Sequence, residues 1–155
     1  MYIDKTIAIL KKALKSSWSD ETVNERFAGC PPPEGQCDVT SLVVQDFLGG
    51  KIKRLDFSNY FSKDEVLHYF NVVSDGTKNK VVDLTLNRGP PLDESFGKEI
   101  ERKYMFHIKT IKKRYEILRE NVYNFFKEKR LTLWAYYFIC EKTGYNKALA
   151  LDLYL

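Results

Sequence analysis

Apolar positions recur with helical spacing at the beginning of the chain and again in its last third. Near the beginning, Ile3, Ile7, Leu10 and Leu14 lie three or four residues apart, with lysines on the opposite face. This spacing predicts an amphipathic first helix. A similar stripe in the last third predicts a long helix with one apolar face. Its residues are Ile108, Ile111, Tyr115, Leu118, Val122 and Phe125.

A shorter apolar segment between these helices has sharp boundaries. Pro31-Pro32-Pro33 excludes helix before the segment, and Gly49-Gly50 ends it. Residues 37–48 are therefore predicted to form a helix that begins at Cys37. Upstream, the run Ser19-Asp20-Glu21-Thr22 predicts an N-cap and a short helix before the prolines.

The middle of the chain is rich in β-branched and aromatic residues and predicts three strands. The first is Lys51–Phe57. The next two, residues 65–73 and 80–85, flank Asp75-Gly76, a dipeptide typical of two-residue hairpin turns. We therefore expect a small antiparallel sheet that contains this hairpin.

The hairpin decides which side chains meet. With a two-residue turn at Asp75-Gly76, His68 pairs directly with Asp83 on the same face, with Cβ atoms about 4.5–5.5 Å apart. If residues 77–79 instead lengthen the loop, a one-residue slip would place the two side chains on opposite faces. The turn therefore determines whether this histidine and this acid can interact.

Together, these elements predict an α+β fold. At 155 residues the chain suits a single domain. Its core, about residues 17–88, is expected to pack a cysteine-bearing helix on the sheet. Gly89-Pro90-Pro91 separates this core from a helical C-terminal part, about residues 95–155. Within that part, residues 131–140 are apolar on all sides and are expected to be buried.

Cys37, His68 and Asp83 have the residue types of a thiol nucleophile and its activating pair. An imidazole can take the thiol proton, while a carboxylate fixes the tautomer and orientation of that imidazole. The helix N-terminus should lower the pKa of Cys37, and its backbone N–H groups can bind an oxyanion. Gln36 and Trp18 are further candidate donors to the oxyanion or the substrate. This chemistry requires no metal or cofactor.

Several short motifs in a fixed order carry a family resemblance. They are Pro33-Glu34-Gly35-Gln36-Cys37, Thr40, Leu42-Val43-Val44-Gln45-Asp46, His68-Tyr69-Phe70-Asn71 and Val82-Asp83-Leu84-Thr85. Their order resembles the small, uncharacterised bacterial YunG-like family and, more broadly, the transglutaminase-like branch of the papain-like cysteine enzymes. The resemblance implies a papain-like core with Cys37 as nucleophile, His68 as base and Asp83 as orienter.

Two positions depart from the pattern that the resemblance leads us to expect. Asp38 stands where a small residue is expected, and Phe70 where a tryptophan is expected. An acid directly after the nucleophile opposes thiolate formation if it points toward the sulfur. For an active site we therefore expect Asp38 to face solvent or a basic partner, and the candidates are Lys51, Lys53 and Arg54.

The predicted function is cysteine-dependent acyl transfer at a peptide or another amide-containing substrate. Water as the second substrate gives an amidase, a deamidase or a peptidase, and an amine gives a transglutaminase-like transferase. A catalytically inactive papain-like binding module is an alternative, and a toxin-like protein deamidase is another.

The cysteines also allow other interpretations. Cys37 alone could be an inert buried thiol, and Cys140 is expected in the core. Cys30 is either a plain loop thiol or a regulatory disulfide partner of Cys37. A zinc site formed by these two thiols with His68 and Asp83 does not fit the usual ligand spacing.

Composition narrows the class of protein further. The formal net charge is +4, and the cluster Lys109, Lys112, Lys113 and Arg114 is interpreted as a solvated helix face, so no nucleic acid is expected as a partner. No apolar run is long enough to predict a membrane span. The early charges and three cysteines favour the cytoplasm. The apolar end, residues 149–155, is expected to pack on the core or to form a homo-oligomer.

Overall fold

The computed structural model describes residues 2–57, 67–86 and 91–128. Within these ranges, helices and strands occur in the order α1, α2, β1, β2, β3, β4, α3, α4, with one 3₁₀ turn at Glu25–Phe27 before α2. The helices are α1 Tyr2–Ser17, α2 Cys37–Leu48, α3 Arg102–His107 and α4 Lys109–Glu128. The strands are β1 Lys51–Asp56, β2 Leu67–Ser74, β3 Asn79–Val82 and β4 Lys98–Ile100.

The four strands form one antiparallel sheet in the order β3-β2-β1-β4. Helix α2 packs against β2, and α4 packs against both α1 and α2. The described chain is therefore α+β, as the sequence predicts. The predicted helix over residues 37–48 is confirmed with its boundaries, because the prolines and the paired glycines act at its two ends.

The main core lies between the helices and one face of the sheet. The apolar stripes of α1, α2 and α4 meet there, as their spacing predicts. The buried side chains of this core come from α1, α2 and α4 and from the sheet. They include Leu10, Leu14, Leu42, Val43, Ile52, Val73, Val82, Leu118 and Val122.

The loop between α1 and α2 corrects the expectation of a short helix after Ser19. Thr22 bonds back to Ser19 through its hydroxyl and its amide, which closes a turn instead of starting a helix. The helical turn in this loop is at Glu25–Phe27, where the Asn24 side chain caps the amide of Arg26. Local side-chain bonds here compete with the helical ladder.

The hairpin register also differs from the prediction. The loop contains four residues, 75–78, because the Asp75 carboxylate accepts bonds from Thr77 and Lys78 and extends the turn beyond Gly76. Asn71 therefore pairs with Val82. Relative to the predicted register the shift is two residues. Side chains alternate with a period of two along a strand, so the predicted faces are retained.

The described part of the C-terminal third, residues 91–128, is mostly helical, as predicted, but also includes a strand. This strand is β4, and directly before it Gly97 has a φ of +67° and lies against the backbone of Arg54. The predicted long helix is confirmed as α4, but it begins at Lys109, because Ile108 has an extended backbone and separates it from the short helix α3. This residue is half exposed and does not join the apolar stripe. Residues 131–140, Cys140 and residues 149–155 lie outside the described residues.

One face of the sheet packs against α2, and the other face carries His68. Asn71 lies on the face toward α2, where its side-chain amide donates to Ser41 O at 2.9 Å. Because successive residues of a strand face opposite sides, His68 and Phe70 lie on the other face. Among the helices that the structure describes, none has the length and apolar character needed to cross a membrane.

We predict different costs for alanine at two glycines with positive φ. Gly50 has a φ of +78°, and a Cβ there would lie 2.3 Å from Val72 O, whereas Gly76, with a φ of +92°, faces open space. Gly76→Ala should lower the free energy of unfolding by about 1–2 kcal/mol, the ordinary penalty of the left-handed region. Gly50→Ala should lower it further in urea denaturation, because β2 must also move. Equal losses of unfolding free energy in the two variants would contradict the close approach of Gly50 to Val72 O.

Candidate active site

The turn before α2 determines where Cys37 lies. Gln36 N donates to Pro33 O at 3.1 Å, and Gly35 adopts a φ of +70°. A Cβ on Gly35 would lie 2.5 Å from the Phe27 Cβ, so glycine is needed for close packing as well as for its conformation. The chain then enters α2 at Cys37, with Gln36 as the N-cap residue.

Gln36 is enclosed, with 1% of its surface exposed. Its Oε1 accepts a hydrogen bond from Thr22 Oγ1 at 2.6 Å, and its Nε2 donates to Ser19 O at 3.3 Å. The side chain thus connects the first turn of α2 to the preceding loop. These contacts give no support to the expectation that Gln36 donates to a substrate.

Trp18 also uses its polar atom within the protein. Its Nε1–H donates to Thr40 Oγ1 at 3.0 Å, which joins the end of α1 to the first turn of α2. The predicted oxyanion role of this indole is likewise without support. The backbone N–H groups at the start of α2 remain the candidates, since the first amides of a helix have no acceptor within it.

The Cys37 thiol lies at the edge of β2 that faces β3, beyond the end of β3. Its Sγ donates to Leu67 O at 3.8 Å, and the backbone N–H of Tyr69 is also within hydrogen-bonding range of the sulfur. Strand β3 ends at Val82, opposite Asn71, so it does not cover this part of β2. The two contacts of the sulfur are on either side of His68 along the strand.

His68 and Asp83 form a hydrogen-bonded pair. His68 Nε2 and Asp83 Oδ2 are 2.5 Å apart, and their side chains are only 9% and 10% exposed. The His68 ring also packs on Phe57, with ring centroids 5.3 Å apart. The longer hairpin loop does not prevent this pairing, because the register shift keeps both side chains on one face.

Asp83 is anchored by the turn that follows β3. Its second oxygen, Oδ1, accepts bonds from the backbone N–H groups of Thr85 and Leu86 and from the Thr85 hydroxyl. Burial alone would raise the pKa of Asp83, but the bond and charge of His68 together with these amides lower it. Asp83 therefore stays ionised and fixes the imidazole with its Nε2–H toward the carboxylate.

The sequence-based expectation of an acidic thiol is wrong for this resting geometry. Loss of hydration, followed by the negative charge of Asp38, raises the pKa of Cys37 to about 12, and Asp83 contributes in the same direction. The amides of Tyr69 and Asp38 oppose the shift but do not cancel it. Although Cys37 as a residue is partly exposed, its sulfur lies among groups that favour the neutral thiol.

Asp38 has a basic partner, but not one of the three predicted from sequence. Its two carboxylate oxygens bond to Arg114 on α4, with Oδ1 to Nη1 at 3.1 Å and Oδ2 to Nη2 at 2.5 Å. Asp38 Oδ1 also accepts from the amide of Val39, and Arg114 Nη1 donates to Thr22 O. Arg114 is thus buried, which corrects its assignment to a solvated face.

Sequence reasoning missed Arg114 and Thr85 as parts of this site. Arg114 lies three residues after Ile111, so the period of the buried stripe on α4 placed it at the edge of that stripe. Thr85 follows Asp83 by two residues, a spacing typical of a side chain that caps its own turn. Within the described ranges, no group of three or more His, Cys, Asp or Glu side chains has the placement to hold a metal ion.

The fold and site define an α+β protein with an anchored histidine–aspartate pair beside a cysteine at a helix N-terminus. The family model described as "YunG protein" matches residues 6–127, and the chain belongs to this family. The "Uncharacterized protein YunG" of Bacillus subtilis (strain 168) is 37% identical over 65 residues, which are 42% of this chain and 50% of that protein. This chain thus matches half the length of that relative. No solved structure matches it.

We predict slow alkylation of Cys37 in the free protein. Its pKa is raised from 9.0 to about 12, so the folded state retains this proton more firmly than the unfolded chain. This difference makes the free energy of unfolding depend on pH. The contribution of Cys37 to it is fully present below pH 9.0 and is lost as the pH rises from 9.0 to about 12. Between about pH 7 and pH 10, the iodoacetamide rate at Cys37 should rise about tenfold per pH unit.

Peptide mass mapping separates Cys37 from Cys30, and Cys37→Ser confirms the assignment. A rate that levels off near neutral pH would show a stabilised thiolate and contradict the neutral resting thiol.

Proposed function

We propose that this protein is a cysteine-dependent acyl-transfer enzyme with a papain-like core of the transglutaminase-like type. The observation that carries the proposal is the 2.5 Å bond between His68 Nε2 and Asp83 Oδ2, beside the strand edge that receives the Cys37 thiol. Three amide or hydroxyl donors hold the other oxygen of Asp83. A carboxylate fixed on both oxygens is suited to orienting an imidazole.

The tautomer of His68 leaves one nitrogen for proton transfer. With Nε2–H bonded to Asp83, the basic nitrogen is Nδ1, which is the ring nitrogen nearer the main chain. The Cys37 thiol contacts the same strand at the neighbouring residues Leu67 and Tyr69. The proposed mechanism requires a rotation of the Cys37 side chain that breaks its bond to Leu67 O and brings the sulfur to Nδ1.

The proposed reaction begins from a neutral thiol. As Sγ attacks the carbonyl carbon of an amide or thioester, His68 Nδ1 takes the thiol proton and the carbonyl oxygen becomes an oxyanion. The N–H of Cys37 at the start of α2 stabilises that oxyanion. The carbon–nitrogen or carbon–sulfur bond then breaks, and the imidazolium returns its proton to the leaving amine or thiol.

The acyl-enzyme then reacts with a second substrate. Water gives a free acid and an amidase, deamidase or peptidase reaction, while an amine gives a new amide. We propose a peptide or another amide-containing molecule as the acyl donor. A thiol nucleophile fits the reducing cytoplasm, which we propose as the compartment.

A binding module is the second candidate, and two observations favour it. The Cys37 thiol donates to Leu67 O instead of His68, and its raised pKa keeps it protonated. His68 also lies on the sheet face opposite the one that contacts α2. In this interpretation the histidine–aspartate pair and the cysteine are both structural.

An activated ester distinguishes the two functions. With p-nitrophenyl acetate, the enzyme should release p-nitrophenol and gain one acetyl group at Cys37, detected by peptide mass mapping. His68→Ala should slow acylation about 10²–10⁴-fold, the usual contribution of a general base. Asp83→Asn should also slow it, because the tautomer of His68 is no longer fixed.

A matched control completes the test. Cys30→Ser, which removes the other described thiol, should react like the wild type. If His68→Ala acylates Cys37 as fast as the wild type, the catalytic proposal fails and the binding module is supported.

A further inference from the structure

Arg114 lies on α4, outside the helix and hairpin that supply Cys37, His68 and Asp83. Nevertheless, its guanidinium binds both oxygens of the residue next to the nucleophile. The Arg114 and Asp38 side chains are 11% and 7% exposed, so water solvates neither charge well. Such a pair needs a close, two-point geometry to offset the loss of hydration.

We propose that Arg114 is a positioning residue of the Cys37 site, which holds the Asp38 carboxylate against α4 and partly neutralises its charge there. The proposal rests on the proposed function only where it calls Cys37 a nucleophile. It identifies α4 as an element that controls the reactivity of a cysteine on α2. It also explains how an acid directly after that cysteine is accommodated beside a candidate nucleophile.

The geometry leaves Asp38 little freedom. Oδ1 is shared between the amide of Val39 and Arg114 Nη1, and Oδ2 is bound by Nη2. Arg114 Nη1 also donates to Thr22 O, which fixes the guanidinium against the loop before α2. Both partners are thus anchored at additional points, and neither can turn without breaking buried hydrogen bonds.

Asp38 already opposes ionisation of Cys37 while Arg114 is in place, since its charge raises the pKa of the thiol. Without the guanidinium that charge would be unneutralised in a poorly hydrated region, where Coulomb interactions are stronger than in water. Other groups around the sulfur remain unchanged by an Arg114 substitution. They are His68 and Tyr69 on β2, Arg54 through the Tyr69 hydroxyl, and Asp83 after β3.

A double-mutant cycle tests whether Arg114 acts through Asp38. The readout is the iodoacetamide rate at Cys37 between about pH 8 and pH 10, where one pKa unit changes the thiolate fraction about tenfold. Arg114→Gln should slow alkylation about tenfold, and Asp38→Asn should accelerate it. In the Asp38→Asn background, Arg114→Gln should slow alkylation clearly less than tenfold, because the carboxylate that Arg114 neutralises is gone and only the charge of the guanidinium itself is lost.

If Arg114 has only a structural role, the alkylation rates of the variants should follow a different pattern. If Arg114 only holds α4 against α2, Arg114→Gln should change the rate equally in the wild-type and Asp38→Asn backgrounds, and Asp38→Asn alone should leave the rate unchanged. Either result overturns the proposal. Lys113→Gln is the matched control, since it removes an exposed positive charge from the neighbouring position of α4 and should leave the rate unchanged.

Arg114→Lys provides a second route if Arg114→Gln does not fold. Lysine keeps the charge but cannot bind both carboxylate oxygens in the same way. It should slow alkylation less than tenfold with Asp38 present and not at all with Asp38→Asn; equal slowing in both backgrounds would overturn the proposal. The cycle needs no enzymatic turnover, so its outcome is separate from that of the p-nitrophenyl acetate experiment.

Discussion

The buried ion pair between Asp38 and Arg114 fixes the first turn of α2, on which the candidate site depends. It connects that turn to α4, while Gln36 and Thr40 connect it to the preceding loop and to Trp18. Removing one partner of such a pair typically costs about 3–5 kcal/mol, because the other charge is left buried and unpaired. The position of Cys37 is therefore determined by contacts distant in sequence as well as by its helix.

The histidine–aspartate pair depends on a different constraint, the alternation of side chains along a strand. The sequence correctly predicts that His68 and Asp83 share a face, although the loop it predicts is two residues shorter than the loop in the structure. A loop longer by two residues keeps that alternation, whereas a one-residue slip would have separated the pair. The Asp75 carboxylate explains the longer loop, and this kind of local bond is difficult to weigh against the strong Asp75-Gly76 signal.

Helix α2 was predictable to its boundaries because prolines and glycines mark its ends. The charged contacts were not predictable, because the spacing of charges along a chain does not show which helix will pack over them. Arg114 illustrates the difficulty: it stands in a lysine-rich run, yet the packing of α4 brings its guanidinium to the loop at Thr22. The neutral state of Cys37 is only partly of this kind: the charge of Asp38 comes from the next residue, but the burial of the sulfur depends on packing, including its contact with β2, 30 positions further along the chain.

The bond from the Cys37 thiol to Leu67 O also bears on how this protein withstands oxidants. Peroxides react with the thiolate far more readily than with the thiol, so cysteines with a low pKa are the first to become sulfenic acids. A sulfur that stays protonated at the edge of β2 escapes this reaction while no substrate is bound. We therefore expect Cys37 to react slowly with peroxides in the substrate-free protein.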